Sequence, residues 1–157
     1  TRQVSSAASD VYKRQAKRDW TLTHMDYELD NVLIDDDGPI VIDWQSPMIS
    51  HPGVDLAWLL AASHSEETLA VEEDFLKLYR DTLSSSGGPS WSAQELEEAL
   101  AWGILYPVSC QAVPYLQDVS AYGEGAERMH QRFEKFLQGS IDAAVRWNLV
   151  DHLQPLI

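Results

Sequence analysis

Hydrophobic residues follow two different patterns along the chain, and the change occurs near residue 50. Before it, the runs Asn31–Asp35 and Pro39–Asp43 are rich in β-branched residues and flank an acidic turn that ends in Gly38. Two short runs of this kind around a glycine-containing turn predict a β-hairpin. Nothing later in the chain resembles a strand as clearly.

The remainder of the chain has the hydrophobic patterns of helices. Residues 54–62 are nearly all apolar after Asp55, which predicts a helix that is buried rather than amphipathic. Residues 66–83 and 126–147 carry apolar side chains at helical spacing, which predicts two amphipathic helices.

A capping box predicts a further helix between these two. Ser92 and Glu95 have the spacing in which a serine hydroxyl and a glutamate carboxylate satisfy each other's backbone N–H groups. Pro107 and Pro114 should kink or end the helix that starts there, because proline lacks the N–H that helices need. The whole pattern predicts one hairpin followed by four or five helices.

The composition is that of one acidic domain. The chain has 157 residues, 45% of them hydrophobic, which is enough to bury a core. Its formal net charge of −14 argues against a nucleic-acid partner, which requires a basic surface. No apolar run approaches the roughly 18 residues of a membrane span. The single cysteine, Cys110, fits a reducing compartment, so we expect a soluble cytoplasmic protein without a membrane partner.

Residues 1–18 differ from the rest of the chain. They hold five of the eleven basic residues and one of the 25 acids, which leaves six basic and 24 acidic residues in the remainder. They are rich in serine and alanine and show no clear period. We interpret residues 1–18 as a tail outside the family domain, either an assembly artefact or a disordered segment, and place the domain at residues 19–157.

One stretch concentrates residues that suit phosphoryl chemistry. Asp26 lies five residues before Asn31 on a predicted loop, and Asp43 ends the second hairpin strand. Asn31 and Asp43 offer the hard oxygen ligands that Mg²⁺ prefers. Asp26 is left to orient an attacking hydroxyl and accept its proton. Taken singly, each could be an ordinary turn residue, but their combined spacing with Asp55 favours a functional origin.

Three motifs in this stretch resemble those of the aminoglycoside phosphotransferase and choline kinase-like superfamily. Its members typically read H-G-D-x-x-x-x-N, then I-D-W or I-D-F, then P-x-x-D-L-A. The corresponding runs are, in the same order, His24-Met-Asp26-Tyr-Glu-Leu-Asp-Asn31, Ile42-Asp43-Trp44 and Pro52-Gly-Val-Asp55-Leu-Ala. The resemblance covers residues 19–65 firmly, and residues 66–157 fit a helical substrate-side subdomain only in kind.

The resemblance implies a fold and a role for each motif residue. The fold class would be α+β and mainly helical: the C-terminal lobe of a protein-kinase-like fold, with the β-hairpin carrying the metal site. Asp26 would be the catalytic base, and Asn31 and Asp43 would bind Mg²⁺ that bridges the phosphates of ATP. His24 and Asp55 would give structural support to the catalytic loop.

The implied reaction is ATP-dependent phosphorylation of a hydroxyl group on a small molecule. Two departures from the family pattern qualify it. Met25 stands where the family usually has glycine. In addition, only about 18 poorly matching residues precede the catalytic loop, where a complete kinase has a Gly-rich loop, a strand lysine and its glutamate. We therefore expect the N-terminal nucleotide lobe of the same polypeptide to be missing and this fragment to be inactive alone.

Other functions compete with this interpretation. A non-catalytic, pseudokinase-like binding module is favoured by the missing lobe and by Met25. A metal-dependent phosphohydrolase that uses His24, Asp26 and Asp43 would need more metal ligands than the sequence supplies. Five acids could recognise a cationic acceptor, although a solvated helix face explains them more simply: Glu95, Glu97, Glu98, Asp118 and Glu124.

Overall fold

The computed structural model describes residues 20–116, 123 and 125–154. Within these ranges the strands precede the α-helices, as the sequence pattern predicts, and one short 3-10 helix, Leu29–Asn31, lies between the first two strands. The strands form two separate two-stranded antiparallel sheets, in which β1 pairs with β4 and β2 pairs with β3. Their bounds are β1 Thr21–Thr23, β2 Val32–Asp35, β3 Gly38–Val41 and β4 Met48–Ser50.

The β2–β3 pair is the hairpin that the sequence predicts. Its register runs from the Val32–Val41 pair to the Asp35–Gly38 pair. The Asp35 carboxylate accepts a hydrogen bond of 2.9 Å from the Asp37 N–H and thereby closes the turn. Strand β3 ends at Val41, so Asp43 lies two residues beyond the strand rather than at its end.

The β1–β4 sheet was not predicted from the sequence. Each of its strands has three residues, and Thr21 pairs with Ser50 from the far side of the hairpin. Three residues are too few to show the alternating pattern by which a strand is recognised. This small sheet brings the start of the loop between β1 and β2, residues 24–31, next to the segment that leads into the first helix.

Six α-helices follow the strands in the described ranges, one more than the upper prediction. The capping box at Ser92 is confirmed, since its hydroxyl accepts from the Glu95 N–H and the Glu95 carboxylate accepts from the Ser92 N–H. The bounds are α1 Gly53–Ala62, α2 Glu66–Ser85, α3 Ala93–Gly103, α4 Leu105–Leu116, α5 Ala126–Arg146 and α6 Leu149–Leu153.

The helix count differs because the segment after the capping box divides in two. Helix α3 ends at Gly103, and Pro107 lies in the first turn of α4. Backbone N–H groups in a first turn have no acceptor within the helix, so proline is tolerated there. Helix α4 continues past Pro114 to Leu116, so the second proline does not end it. Among the described helices, none combines the length and apolar character that crossing a bilayer requires.

Helix α1 lies at the centre of the helical core. It packs against α3, α4 and α5, and most of its residues are buried, as its apolar sequence predicts. Trp58 of α1 meets Phe136 of α5 edge to face, with ring centroids 5.0 Å apart. The remaining core residues on α3 and after it include Leu96, Leu100, Ala101, Ile104, Ala143 and Trp147.

Glycines allow two helices to approach α1 closely. A Cβ atom at Gly103 of α3 would overlap the backbone of Gly53, and one at Gly139 of α5 would overlap the carbonyl group of Ala61. Because protein interiors are packed at the density of organic crystals, neither helix could retain its position with a larger residue there. The glycines thus fix α1 between its neighbours, and with it the first-turn residue Asp55.

Candidate functional site

The loop between β1 and β2 carries the first motif, and two residues outside the loop hold it in place. These residues are Asp55, in the first turn of α1, and Ile42, directly after β3. Both join positions that are distant in sequence. The site can therefore be described as two sets of hydrogen bonds around one loop.

Asp55 binds the loop through its carboxylate. One oxygen accepts from the His24 N–H at 2.7 Å, and the other accepts from the Met25 N–H at 2.9 Å. Pro52 occupies the N-cap position of α1, so Asp55 is not its capping residue. The carboxylate still lies in the first helical turn, where the helix dipole favours a negative charge. Both oxygens are thus used to fix the backbone before Asp26.

Ile42 joins the loop to the segment that contains Asp43. Its N–H donates to the Asn31 carbonyl at 2.9 Å, and its own carbonyl lies 2.8 Å from Nε2 of His24. The His24 ring is buried and also contacts the Trp44 ring edge-on at 4.7 Å between centroids. The backbone at Ile42 consequently places Asp43 beside the loop. His24 contributes a hydrogen bond to Ile42 and a ring contact to Trp44.

Asp26 and Asn31 are in direct contact. The Asn31 amide nitrogen donates to the Asp26 carbonyl at 2.9 Å and lies 3.5 Å from the Asp26 carboxylate. This assignment of the amide leaves its oxygen without a hydrogen-bond partner among the residues described. Asp43 is exposed and, likewise within the described ranges, its carboxylate forms no hydrogen bond or ion pair.

The donor set of Asn31 and Asp43 fits a magnesium ion. One amide oxygen and one carboxylate are hard ligands, and both are free of competing contacts with the described part of the chain. No group of three or more His, Cys, Asp or Glu side chains in that part is placed to hold a metal. Mg²⁺ does not need one, because it takes few protein ligands and completes its shell with phosphate and water.

Met25 adopts a backbone conformation that usually belongs to glycine. Its φ is 70°, in the left-handed region, and its side chain is buried. The Thr23 hydroxyl lies 3.1 Å from the methionine sulfur and donates to the Met48 carbonyl at 2.9 Å. The left-handed turn explains physically why glycine suits this position, and the buried sulfur shows how methionine is accommodated.

Sequence reasoning missed three residues near the loop: Glu28, Tyr106 and Arg132. The Glu28 carboxylate pairs with Arg132 of α5 at 2.5 Å. Burial raises the pKa of Glu28 above its usual range, Arg132 lowers it in part, and the Asp26 charge raises it further. Burial also raises the pKa of Tyr106 to about 12, with a hydrogen bond to Cys110 and the charge of Asp26 as smaller causes.

Only one of these three residues had a signal in the sequence. Arg132 belongs to a set of basic residues at helical spacing on the last long helix, together with Arg128 and Lys135. Glu28 and Tyr106 have no local pattern that separates them from other surface or core residues. The pairing of Glu28 with Arg132 depends on how α5 packs, and the proximity of Tyr106 to Asp26 depends on how α4 packs.

Of the five acids that were candidates for binding a cationic acceptor, the three that the structure describes have other contacts. Glu95 completes the capping box with Ser92, and that hydrogen bonding lowers the pKa of its carboxyl. Glu97 accepts a hydrogen bond from Asn148 at 3.1 Å. Glu98 also has an interaction partner. The remaining two, Asp118 and Glu124, lie outside the described residues.

Comparison with known proteins gives a family match. The family model described as the phosphotransferase enzyme family matches residues 3–94, more than half of the chain. No curated protein and no solved structure gives a match. The matched range includes most of residues 1–18, which the structure does not describe, so the assignment of a tail there stays a prediction.

Proposed function

The chain belongs to the phosphotransferase enzyme family, and from this membership we propose that it transfers the γ-phosphate of ATP to a hydroxyl group of a small molecule. In this proposal the chain is the C-terminal lobe of the enzyme and works together with a nucleotide lobe. The supporting observation is the double connection of the catalytic loop: His24 reaches Asp55 across 31 positions and Ile42 across 18. Turn residues with purely local roles would not need such connections.

Asp26 is the catalytic residue in this proposal. Its backbone is fixed on one side by the Asn31 amide and on the other by the bonds of Asp55 to the two preceding residues. A carboxylate held in this way orients the acceptor hydroxyl and accepts its proton as the bond to phosphorus forms. Preorganisation matters because the loop does not have to reorder when the substrate arrives.

Asn31 and Asp43 would hold the magnesium ion of the nucleotide. When bound, the metal neutralises charge on the phosphate groups during transfer. The chain's own contribution is to present one amide oxygen and one carboxylate from two segments that the Ile42 backbone holds together. Asn31 thus has two roles, since its nitrogen positions Asp26 while its oxygen is available to the metal.

A non-catalytic binding module is the second candidate. The buried Met25 side chain next to Asp26 is the observation that favours it, because the family usually has glycine there. Such a module would retain the hydrogen-bonded loop without turning over a substrate. Metal binding and turnover must therefore be measured separately.

Metal binding can be tested on this chain with Mn²⁺ as a paramagnetic substitute for Mg²⁺, in the presence of ADP. We expect Mn²⁺ to broaden the NMR signals of Asn31 and Asp43 selectively. Asp43→Asn should abolish that broadening, because the carboxylate ligand is lost. Asp36→Asn is the matched control, since it removes the same charge from the exposed hairpin turn. Broadening that survives Asp43→Asn would contradict the metal site.

Turnover is measured with the nucleotide lobe present. Asp26→Ala should lower the rate of phosphate transfer about a thousandfold while nucleotide affinity stays unchanged, which is within the usual range for a general base. Turnover retained by Asp26→Ala would contradict the catalytic role. Metal binding without turnover of any hydroxyl acceptor would support the binding module instead.

A further inference from the structure

The basic residues of the described chain are distributed unevenly. Only six of the eleven lysines and arginines lie outside the first 18 residues, and three of these six share one face of α5. Arg128, Arg132 and Lys135 are separated by four and three positions, which is the spacing of neighbours on a helix surface. All three line a groove of about 700 Å³ between α5 and the catalytic loop.

The opposite wall of this groove belongs to the catalytic loop. Glu28 and Asp30 line it, and Arg132 lies 2.5 Å from the Glu28 carboxylate and 4.0 Å from that of Asp30. The Glu28 N–H donates to the Asp26 carbonyl at 3.1 Å. The groove therefore begins two residues from the proposed catalytic base.

Two of the three cations are available to a ligand. Arg128 and Lys135 are exposed and form no ion pair with any residue in the described ranges, whereas Arg132 is engaged by Glu28. Three cations thus face two carboxylates in a chain whose formal net charge is −14. Only Arg132 pairs with the loop, so Arg128 and Lys135 remain able to bind an anion in the groove.

We propose that this groove binds an anionic group of the acceptor, a phosphate or a carboxylate, while the hydroxyl of the same molecule lies at Asp26. This inference rests on the proposed function and adds the substrate class. Guanidinium and ammonium groups bind oxyanions by charge-assisted hydrogen bonds, and arginine adds a planar fork of donors. A cationic acceptor would be repelled by Arg128 and Lys135.

The first test compares four small molecules on the unmodified chain without nucleotide or metal. The probes are glycerol 3-phosphate, glycerate, uncharged glycerol and cationic choline, and the readout is the shift of amide NMR signals in α5 and the catalytic loop. We expect glycerol 3-phosphate, glycerate or both to bind more tightly than glycerol and choline. The ranking of the two anions then identifies the anionic group. Failure of both anions, or choline binding as tightly as they do, would overturn the proposal.

The second test locates the binding. Lys135→Gln should weaken binding of the preferred anion about fivefold, the effect expected for one exposed charge pair. Lys77→Gln on α2 is the matched control, because it removes the same charge from another exposed helical position. Equal weakening by both variants would indicate a general charge effect and overturn the proposal. Far-UV circular dichroism confirms that each variant is folded.

These outcomes are separable from those of the proposed function. The titration involves neither metal nor turnover, so a negative result leaves the roles of Asp26 and Asp43 standing. Conversely, if the metal test is negative and the anion titration is positive, the groove binds an anion but phosphate transfer does not explain why. An anion that binds but is never phosphorylated would overturn its assignment as the acceptor.

Discussion

The strand region and the helical region of this protein are stabilised in different ways. Among residues 20–50 only Thr23, His24 and Met25 are buried, whereas α1 alone buries seven residues. Ile34 in the hairpin is 75% exposed, while Leu100 in the helical core is 1% exposed. The region that holds most of the motif residues therefore has almost no core of its own. Its geometry depends on a few directed hydrogen bonds to residues such as Asp55.

The strand region also exposes an unusual amount of apolar surface. Large apolar side chains there are exposed on the hairpin, on both short strands and beside Asp43: Trp20, Leu22, Leu29, Leu33, Ile34, Ile40, Ile42, Trp44, Met48 and Ile49. Exposed apolar side chains concentrated in one region are typical of an interaction surface in soluble proteins.

The contrast between the two regions can be tested most directly with one alanine substitution in each region. Leu100→Ala should lower the free energy of unfolding by about 3 kcal/mol, because it leaves a cavity in a packed core. Ile34→Ala should change it by less than about 0.5 kcal/mol, because the side chain is already exposed. Urea denaturation followed by tryptophan fluorescence measures both values. Similar losses for the two variants would show that the hairpin is covered in solution and would remove the contrast.

Met25 provides a smaller and sharper test, since it is a buried residue within the strand region. Met25→Ala should cost about 2 kcal/mol of stability through lost burial. Met25→Gly should cost about 1 kcal/mol less than that, because glycine adopts a φ of 70° without strain. The usual order, in which alanine is the more stable of the two, would then be reversed. An alanine variant more stable than the glycine variant would contradict the left-handed turn.

The smallest effect concerns Tyr106 of α4, whose pKa is raised by burial and, to a smaller extent, by the charge of Asp26 in the loop. Because burial raises its pKa to about 12 from 10.0, the folded state keeps its proton after the unfolded state has lost it. Its contribution to stability is therefore fully present below pH 10 and is lost as the pH rises through 12. Absorbance at the tyrosinate band should show one fewer group ionising near pH 12 in Tyr106→Phe than in the unmodified chain. If Tyr106→Phe instead removes a group that ionises near pH 10, the buried environment of Tyr106 is contradicted.

Local and periodic features could be predicted from the sequence. The hairpin around Gly38, the buried helix α1 and the capping box at Ser92 depend on residues within a few positions of one another, and all three are confirmed. The resemblance to aminoglycoside phosphotransferases, drawn from three short motifs, agrees with the family match. These features were accessible because turn chemistry and hydrophobic spacing act over short distances.

The tertiary structure decided what the motifs contact. The two bonds of Asp55 to the loop, the position of Ile42 between Asn31 and His24, and the pairing of Arg132 with Glu28 across 104 positions have no local sequence pattern. The contacts of Asp55 and Arg132 depend on where α1 and α5 lie, and close packing of α3 and α5 on α1 fixes these positions. A sequence pattern shows which face of a helix is apolar, but the neighbour that covers the face depends on the path of the entire chain. The spacing of residues thus indicated the chemistry of the site, and packing determined its geometry and the charge of the groove beside it.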